Sequence, residues 1–144
     1  QKTYLAVLTG CPEETSGTLE DLLFHDRVKN KTYVVRRPRG GVKKAVLSYE
    51  ILAEAEGLSL ARVRLQTGRT HQIRVHMAHI GHPLLGDMVY GAGKPEKGLE
   101  GQCLHARTLK FIHPRTGEHM ELTSPLPEYF TAVLARLGPP LDNQ

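Results

Sequence analysis

The sequence predicts an α+β fold, a mixed, mainly antiparallel sheet with a few helices, and three observations carry that prediction. Most of the apolar segments are short, rich in β-branched and aromatic residues, and bounded by Gly or Pro. The connections between them are too short for helical crossovers, which points to hairpins. Apolar spacing of the helical kind occurs in only two places.

Thr3 to Leu8 alternates weakly and ends at Gly10 and Pro12, as a strand entering a loop would. The acidic stretch Glu13 to Asp21 follows. Lys31 to Arg36, with Tyr33, Val34 and Val35, favours a short strand, broken by Pro38, Gly40 and Gly41. Ala45 to Ala53 and Leu58 to Gln66 meet at Gly57 and read as an antiparallel hairpin. Beyond it the period changes: Ile73, Met77 and Ile80 align on one face of a helix, with Thr70 as the expected N-cap and Gly81 and Pro83 as the stop. A connection through Gly86, Gly91 and Gly93 leads to a second hairpin, Leu104 to Ile112 and His119 to Thr123, around the turn His113 to Gly117. Pro125 and Pro127 introduce a last helix that places Phe130, Val133, Leu134 and Leu137 on one side and closes at Gly138 and Pro139.

With 144 residues and 40% hydrophobic content the chain suits one core. Nineteen Lys and Arg against fifteen Asp and Glu favour a polyanionic partner, and the excess is concentrated between Asp26 and Lys44. Charge alone leaves that run open to either a solvated loop or an RNA contact. Cys11 and Cys103 are far apart and have no companions at metal-ligand spacing, so reduced thiols, no metal and a cytoplasmic location are expected. No apolar run approaches the roughly 18 residues needed to cross a bilayer, so no membrane partner is expected.

The segment Leu65 to Tyr90, LQTGRTHQIRVHMAHIGHPLLGDMVY, is dense in Arg, His and Gly. Taken singly, an Arg on a helix is an ordinary surface side chain, and a His is an ordinary packed or exposed one. Arg69, His71 and Arg74 together, around the start of a helix whose free N–H groups favour anions, instead call for an acidic ligand. The run resembles the third motif of the RluA-type pseudouridine synthases through TGRTHQIRVH, GHPLLGD and VYG. Lys2 to Ala6 resembles that family's Lys-x-Tyr-x-Ala segment; Leu104-His105-Ala106, His113-Pro114 and Ser124 to Pro127 resemble its C-terminal end.

What the resemblance implies is an RNA-modifying isomerase that needs no cofactor, on RNA, with ribosomal RNA ahead of transfer RNA as substrate. It assigns Arg74 to pairing with a catalytic Asp and Tyr4 to the target base near C5. Arg69, Thr70, His71 and Gln72 are assigned to RNA contact or to shaping the site, while His76, His79, His82 and Asp87 are expected to be structural. The family carries its Asp in a His-Arg-Leu-Asp motif, which does not occur in this sequence. Residues 1–144 are therefore expected to be the C-terminal portion of a single catalytic domain without its N-terminal portion, inactive alone, with Arg74 deprived of its carboxylate. An exposed edge left in this way would favour self-association. The alternative is a basic RNA-binding or assembly module without catalysis.

Overall fold

The computed structural model describes residues 2–91, 104–112 and 119–123, with side chains for 3–91 and Leu104. Seven strands, β1 (Lys2–Thr9), β2 (Ser16–Asp26), β3 (Lys31–Val35), β4 (Val42–Ala55), β5 (Leu58–Leu65), β6 (Leu104–Ile112) and β7 (His119–Thr123), form one sheet in the order β3-β2-β4-β5-β1-β6-β7. Among the described residues there is one helix, α1 (Gln72–His79), between β5 and β6.

Every strand pair among the described residues is antiparallel, so the expected mainly antiparallel sheet is there antiparallel throughout rather than mixed. Sequence neighbours pair as β2–β3, β4–β5 and β6–β7, whereas β2 lies between β3 and β4 and β1 inserts between β5 and β6. The β4–β5 turn is built by Glu56 at φ 53° and Gly57 at φ 77°, two consecutive positive values that match the right-handed twist of a two-residue hairpin. Of the two expected helices, α1 is the one among the described residues; the segment around Phe130 to Leu137 lies outside them, as does the turn His113 to Gly117.

The strand β2 is absent from the sequence reading. Its Leu19, Asp21, Leu23 and His25 face α1, but Leu22 and Phe24 on the other face are also apolar, and this blurs the alternation that marks a half-buried strand. Registry against β4 is nevertheless continuous from Ser16↔Glu50 to Phe24↔Val42.

One face of the sheet carries Ala6, Leu8, Leu47, Tyr49, Ala61 and Val63, which pack against Ile73 and Met77 of α1 and against Leu84. The expected helical stripe is thus the contact with the sheet, and full burial of such a side chain contributes about 1.5–3 kcal/mol. The opposite face buries a smaller group, Leu5, Val7, Leu58, Leu60 and Leu85. After α1, Gly81 at φ 88° reverses the chain, and Pro83 to Leu85 return along β1, where Pro83 accepts a hydrogen bond from Thr9 N–H and Leu85 N–H donates to Val7. That return delivers Asp87 and Tyr90 to the helix.

Candidate active site

The N-cap of α1 is His71, not Thr70: His71 stands in the left-handed region at φ 56° and makes no side-chain capping bond. The first turn is tied instead by Gln72. Its Oε1 accepts from Arg69 N–H (2.9 Å) and the Thr67 hydroxyl (2.8 Å), and its Nε2 donates to Val46 O (3.1 Å). Gln72 is buried, so these bonds fasten the helix start to β4 in a place where unmade ones would be costly. Thr70 contributes its carbonyl, which accepts from the Thr32 hydroxyl at 2.9 Å and joins the same turn to β3.

Arg74 follows on the side of α1 next to the returning chain. Its Nε and Nη2 donate to the two oxygens of Asp87 at 2.8 and 3.0 Å, a bidentate pair with side chains only 12% and 0% exposed. The expectation that Arg74 would be left without a carboxylate is therefore corrected, because the chain reversal at Gly81 supplies one from thirteen residues downstream. Asp87 also has the structural role expected of it, since its Oδ1 accepts from Val89 and Tyr90 N–H and so shapes the turn. Burial alone would raise the Asp87 carboxyl, but the hydrogen bonds from Arg74, Tyr90 and Val89, together with the Arg74 charge, outweigh it and hold the group below the usual carboxylate range. The turn also explains a glycine: a Cβ at Gly91 would stand 2.4 Å from the Asp87 carbonyl oxygen.

Bidentate binding through Nε and Nη2 uses one edge of the guanidinium. Among the described residues, Nη1 has no hydrogen-bond partner, so the second edge remains for another acceptor. The plane is steadied by the Tyr90 ring, whose centroid lies 5.0 Å from Arg74 Cζ.

Tyr90 is the hub that sequence reading missed. Its hydroxyl accepts from Thr32 N–H at 2.8 Å and lies 2.7 Å from His71 Nδ1. Burial, helped by the charges of Arg74 and His25 and opposed by Asp87, lowers the His71 pKa and favours the neutral ring. The arrangement that uses every donor has Tyr90 O–H donating to His71 Nδ1, which leaves the proton of His71 on Nε2. Thr32, whose hydroxyl proton is given to Thr70, in turn accepts from His25 Nδ1–H at 2.9 Å. Tyr90 lay inside the VYG motif and could have been singled out there; nothing in the sequence marked His25 or Thr32.

Arg69 is held by Nε donating to Lys44 O at 2.9 Å, on the side of the turn facing the basic loop. Tyr4 belongs to the apolar cluster that Ile73 and Met77 enter, on the face of the sheet that carries α1, and no hydrogen bond joins it to Arg74 among the described residues. Of the residues expected to be structural, His76 is fully buried, with Nδ1 2.8 Å from Asp21. Burial lowers its pKa despite the hydrogen bond and charge of Asp21, which favours the neutral ring with Nδ1–H donating to the Asp21 carboxylate. His82 bonds Thr9 O, and His79 is exposed. Among the described residues no group of three or more His, Cys, Asp or Glu is placed to hold a metal ion.

Comparison with known proteins bears on what this arrangement is. The RNA pseudouridylate synthase family matches residues 1–79, more than half of the sequence, a span that includes Tyr4 and the whole turn from Arg69 to Arg74. The chain belongs to this family. Among curated members, the ribosomal large subunit pseudouridine synthase D of Haemophilus influenzae is 40% identical over 149 residues, covering 94% of this chain and 44% of its own length. An uncharacterized RNA pseudouridine synthase of Bacillus subtilis is 40% identical over 138 residues, with the same two coverages, 94% and 44%. The chain thus spans a little under half the length of these relatives. Among solved structures, human RNA pseudouridylate synthase domain containing 4 superposes with a TM-score of 0.75 at 27% identity, over 94% of this chain and 61% of that one. Human RNA pseudouridylate synthase domain containing 1, with a TM-score of 0.70 at 24% identity over 96% and 66%, shares the fold.

Proposed function

We propose that this chain forms the Arg74-bearing part of the active site of a pseudouridine synthase acting on ribosomal RNA. The observation that carries the reading is the guanidinium of Arg74: largely buried, fixed on one edge by Asp87 and over its plane by Tyr90, and with its second edge available among the described residues. The role of that edge is to hold a further carboxylate, ionised and oriented, at the uridine. A desolvated carboxylate tends to protonate, and an Arg beside it keeps it anionic. The sequence contains no His-Arg-Leu-Asp, and the Asp87 carboxylate is already held by Arg74, Val89 and Tyr90, so Asp87 is not the carboxylate meant for that edge.

In the reaction the bond from ribose C1′ to base N1 breaks, C1′ is joined to C5, and the C5 proton leaves. Tyr4 meets the base near C5, and the Nε2–H of His71 with the Arg69 guanidinium serves the phosphate backbone. The base is unstacked first, at a cost of about a few kcal/mol offset by contacts with the RNA. Ribosomal RNA is favoured over transfer RNA by the relatives named for the large ribosomal subunit, and a cytoplasmic place of action is part of the proposal. Self-association through a sheet edge is less favoured at β3, where the N–H of Thr32 already donates to the Tyr90 hydroxyl.

The test is tritium release from C5-labelled uridine in a large-subunit ribosomal RNA transcript. The full-length protein is expected to turn over, while the 144-residue chain is expected to bind RNA without turnover. Release by the short chain at the full-length rate would contradict the reading, and binding by both without any release would favour a non-catalytic RNA-binding module.

A further inference from the structure

A cleft of about 760 Å³ opens beside the site, between the end of β2, the start of β4 and the turn before α1. It shares Thr32 and Thr70 with the network described above but is not lined by Arg74 or Asp87. Its volume falls within the range of small-molecule and cofactor sites, roughly 300–1,000 Å³. Arg27, Lys43, Arg69 and His25 line it, against one acid, Asp26.

That acid is already engaged. Asp26 Oδ1 accepts from Val28 N–H (3.0 Å) and Lys29 N–H (3.1 Å) and so shapes the β2–β3 turn. Arg69 is clamped through Nε to Lys44 O, which leaves both its Nη groups without partners among the described residues. Gly41 and Gly68 add no side chain to the wall, and a Cβ at Gly68 would meet nothing within 4 Å, so a ligand can approach the backbone there. At the tip of the same turn Val28 is 97% exposed between Arg27 and Lys29, an apolar side chain set in a positive surface, the composition that meets bases and phosphates together.

We propose that this cleft is a second RNA subsite, which takes the phosphodiester of a nucleotide flanking the target uridine between Arg27, Lys43 and Arg69. It rests on the reading of the chain as part of an RNA-modifying enzyme and adds where the flanking strand runs. Through Thr32, which hydrogen-bonds His25, Thr70 and Tyr90, a phosphate seated here is mechanically joined to the element that steadies Arg74. The β2–β3 hairpin is then the part of this chain that positions the flanking strand, and the basic run from Asp26 to Lys44, open on charge alone, is an RNA contact at Arg27 and Lys43.

The experiment uses the full-length protein and an unmodified large-subunit ribosomal RNA transcript, with R27A/K43A compared against R64A, which removes an exposed charge from the opposite face of the sheet. For R27A/K43A we expect RNA affinity to fall about tenfold and the log–log salt slope to shrink by about 0.7–0.9 for each phosphate that the protein no longer neutralises. KM should rise with kcat retained within about twofold, because the substitutions remove binding shared by the ground and transition states. R64A should leave affinity and slope unchanged. Unchanged affinity and slope in R27A/K43A, or an equal loss in R64A, would overturn the subsite while leaving the enzyme reading intact. Absence of turnover by the unsubstituted full-length protein would instead sink the enzyme reading, whatever the binding data show.

Discussion

Two Arg–carboxylate pairs sit on opposite faces of the same sheet and have little else in common. Arg62 and Glu50 meet across β5 and β4 at 2.6 Å, with side chains 23% and 46% exposed, a cross-strand pair that water reaches. Arg74 and Asp87 meet over the helix-bearing face at 12% and 0% exposure, and each partner has further duties: Asp87 caps a turn, while Arg74 lies on Tyr90. Exposed pairs contribute little because solvent already satisfies both partners, whereas separating a buried pair strands a charge. A fold keeps the second kind only where its geometry is well supported, and here the support comes from Tyr90, His71 and Thr32. The difference in depth separates a sheet ornament from a candidate site.

The contrast between the two pairs breaks most easily at Arg74. Arg74→Ala in the full-length protein is expected to cost about 3–5 kcal/mol in urea unfolding, since Asp87 would be left charged and buried. A loss below about 1 kcal/mol would mean that the pair is no more than a surface contact. Tyr90→Phe sharpens the point: the ring stays over Arg74, but Thr32 N–H and His71 lose their partner, for an expected cost of about 1–3 kcal/mol. At the small end, Glu50→Gln should change stability by at most about 1 kcal/mol, an effect that salt would diminish.

Acid provides a further separation. Asp87 has a depressed carboxyl, so its contribution is fully present above the unfolded value near about 3.9 and is lost as pH falls through its lower folded value. His76 and His71 are also depressed, on the imidazole scale. Their contribution is present above the unfolded value of about 6.5 and declines as pH falls below it, through their folded values. Urea midpoints measured from pH 8 to pH 5 should therefore fall on the acid side, and His76→Gln should flatten that fall. A profile unchanged by His76→Gln would remove the buried imidazole from the account.

The β4–β5 hairpin was legible because Gly57 sat between two alternating runs, and the stripe Ile73, Met77, Ile80 foretold the face by which α1 meets the sheet. Its cap was not legible, because the bonds that hold the helix start run from Gln72 to β4 and from Thr32 to Thr70, contacts between segments rather than neighbours. Strand β2 escaped for a local reason, since Leu22-Leu23-Phe24 presents apolar groups to both faces. At the site, family likeness pointed to Arg74, and Asp87 was expected only to be structural. Their pairing depends on a reversal at Gly81 and docking along β1, neither of which is written in the spacing of thirteen residues.

The central claim is that the second edge of the Arg74 guanidinium serves a carboxylate at the reacting uridine, and Arg74→Lys in the full-length protein tests it most directly. Lysine keeps the charge near Asp87 but cannot span two carboxylates with a planar fork. With tritium release and RNA affinity measured on the same transcript, turnover should fall by about 100-fold or more while affinity stays within about threefold. Turnover within about threefold of the unsubstituted protein, at unchanged affinity, would contradict the assignment.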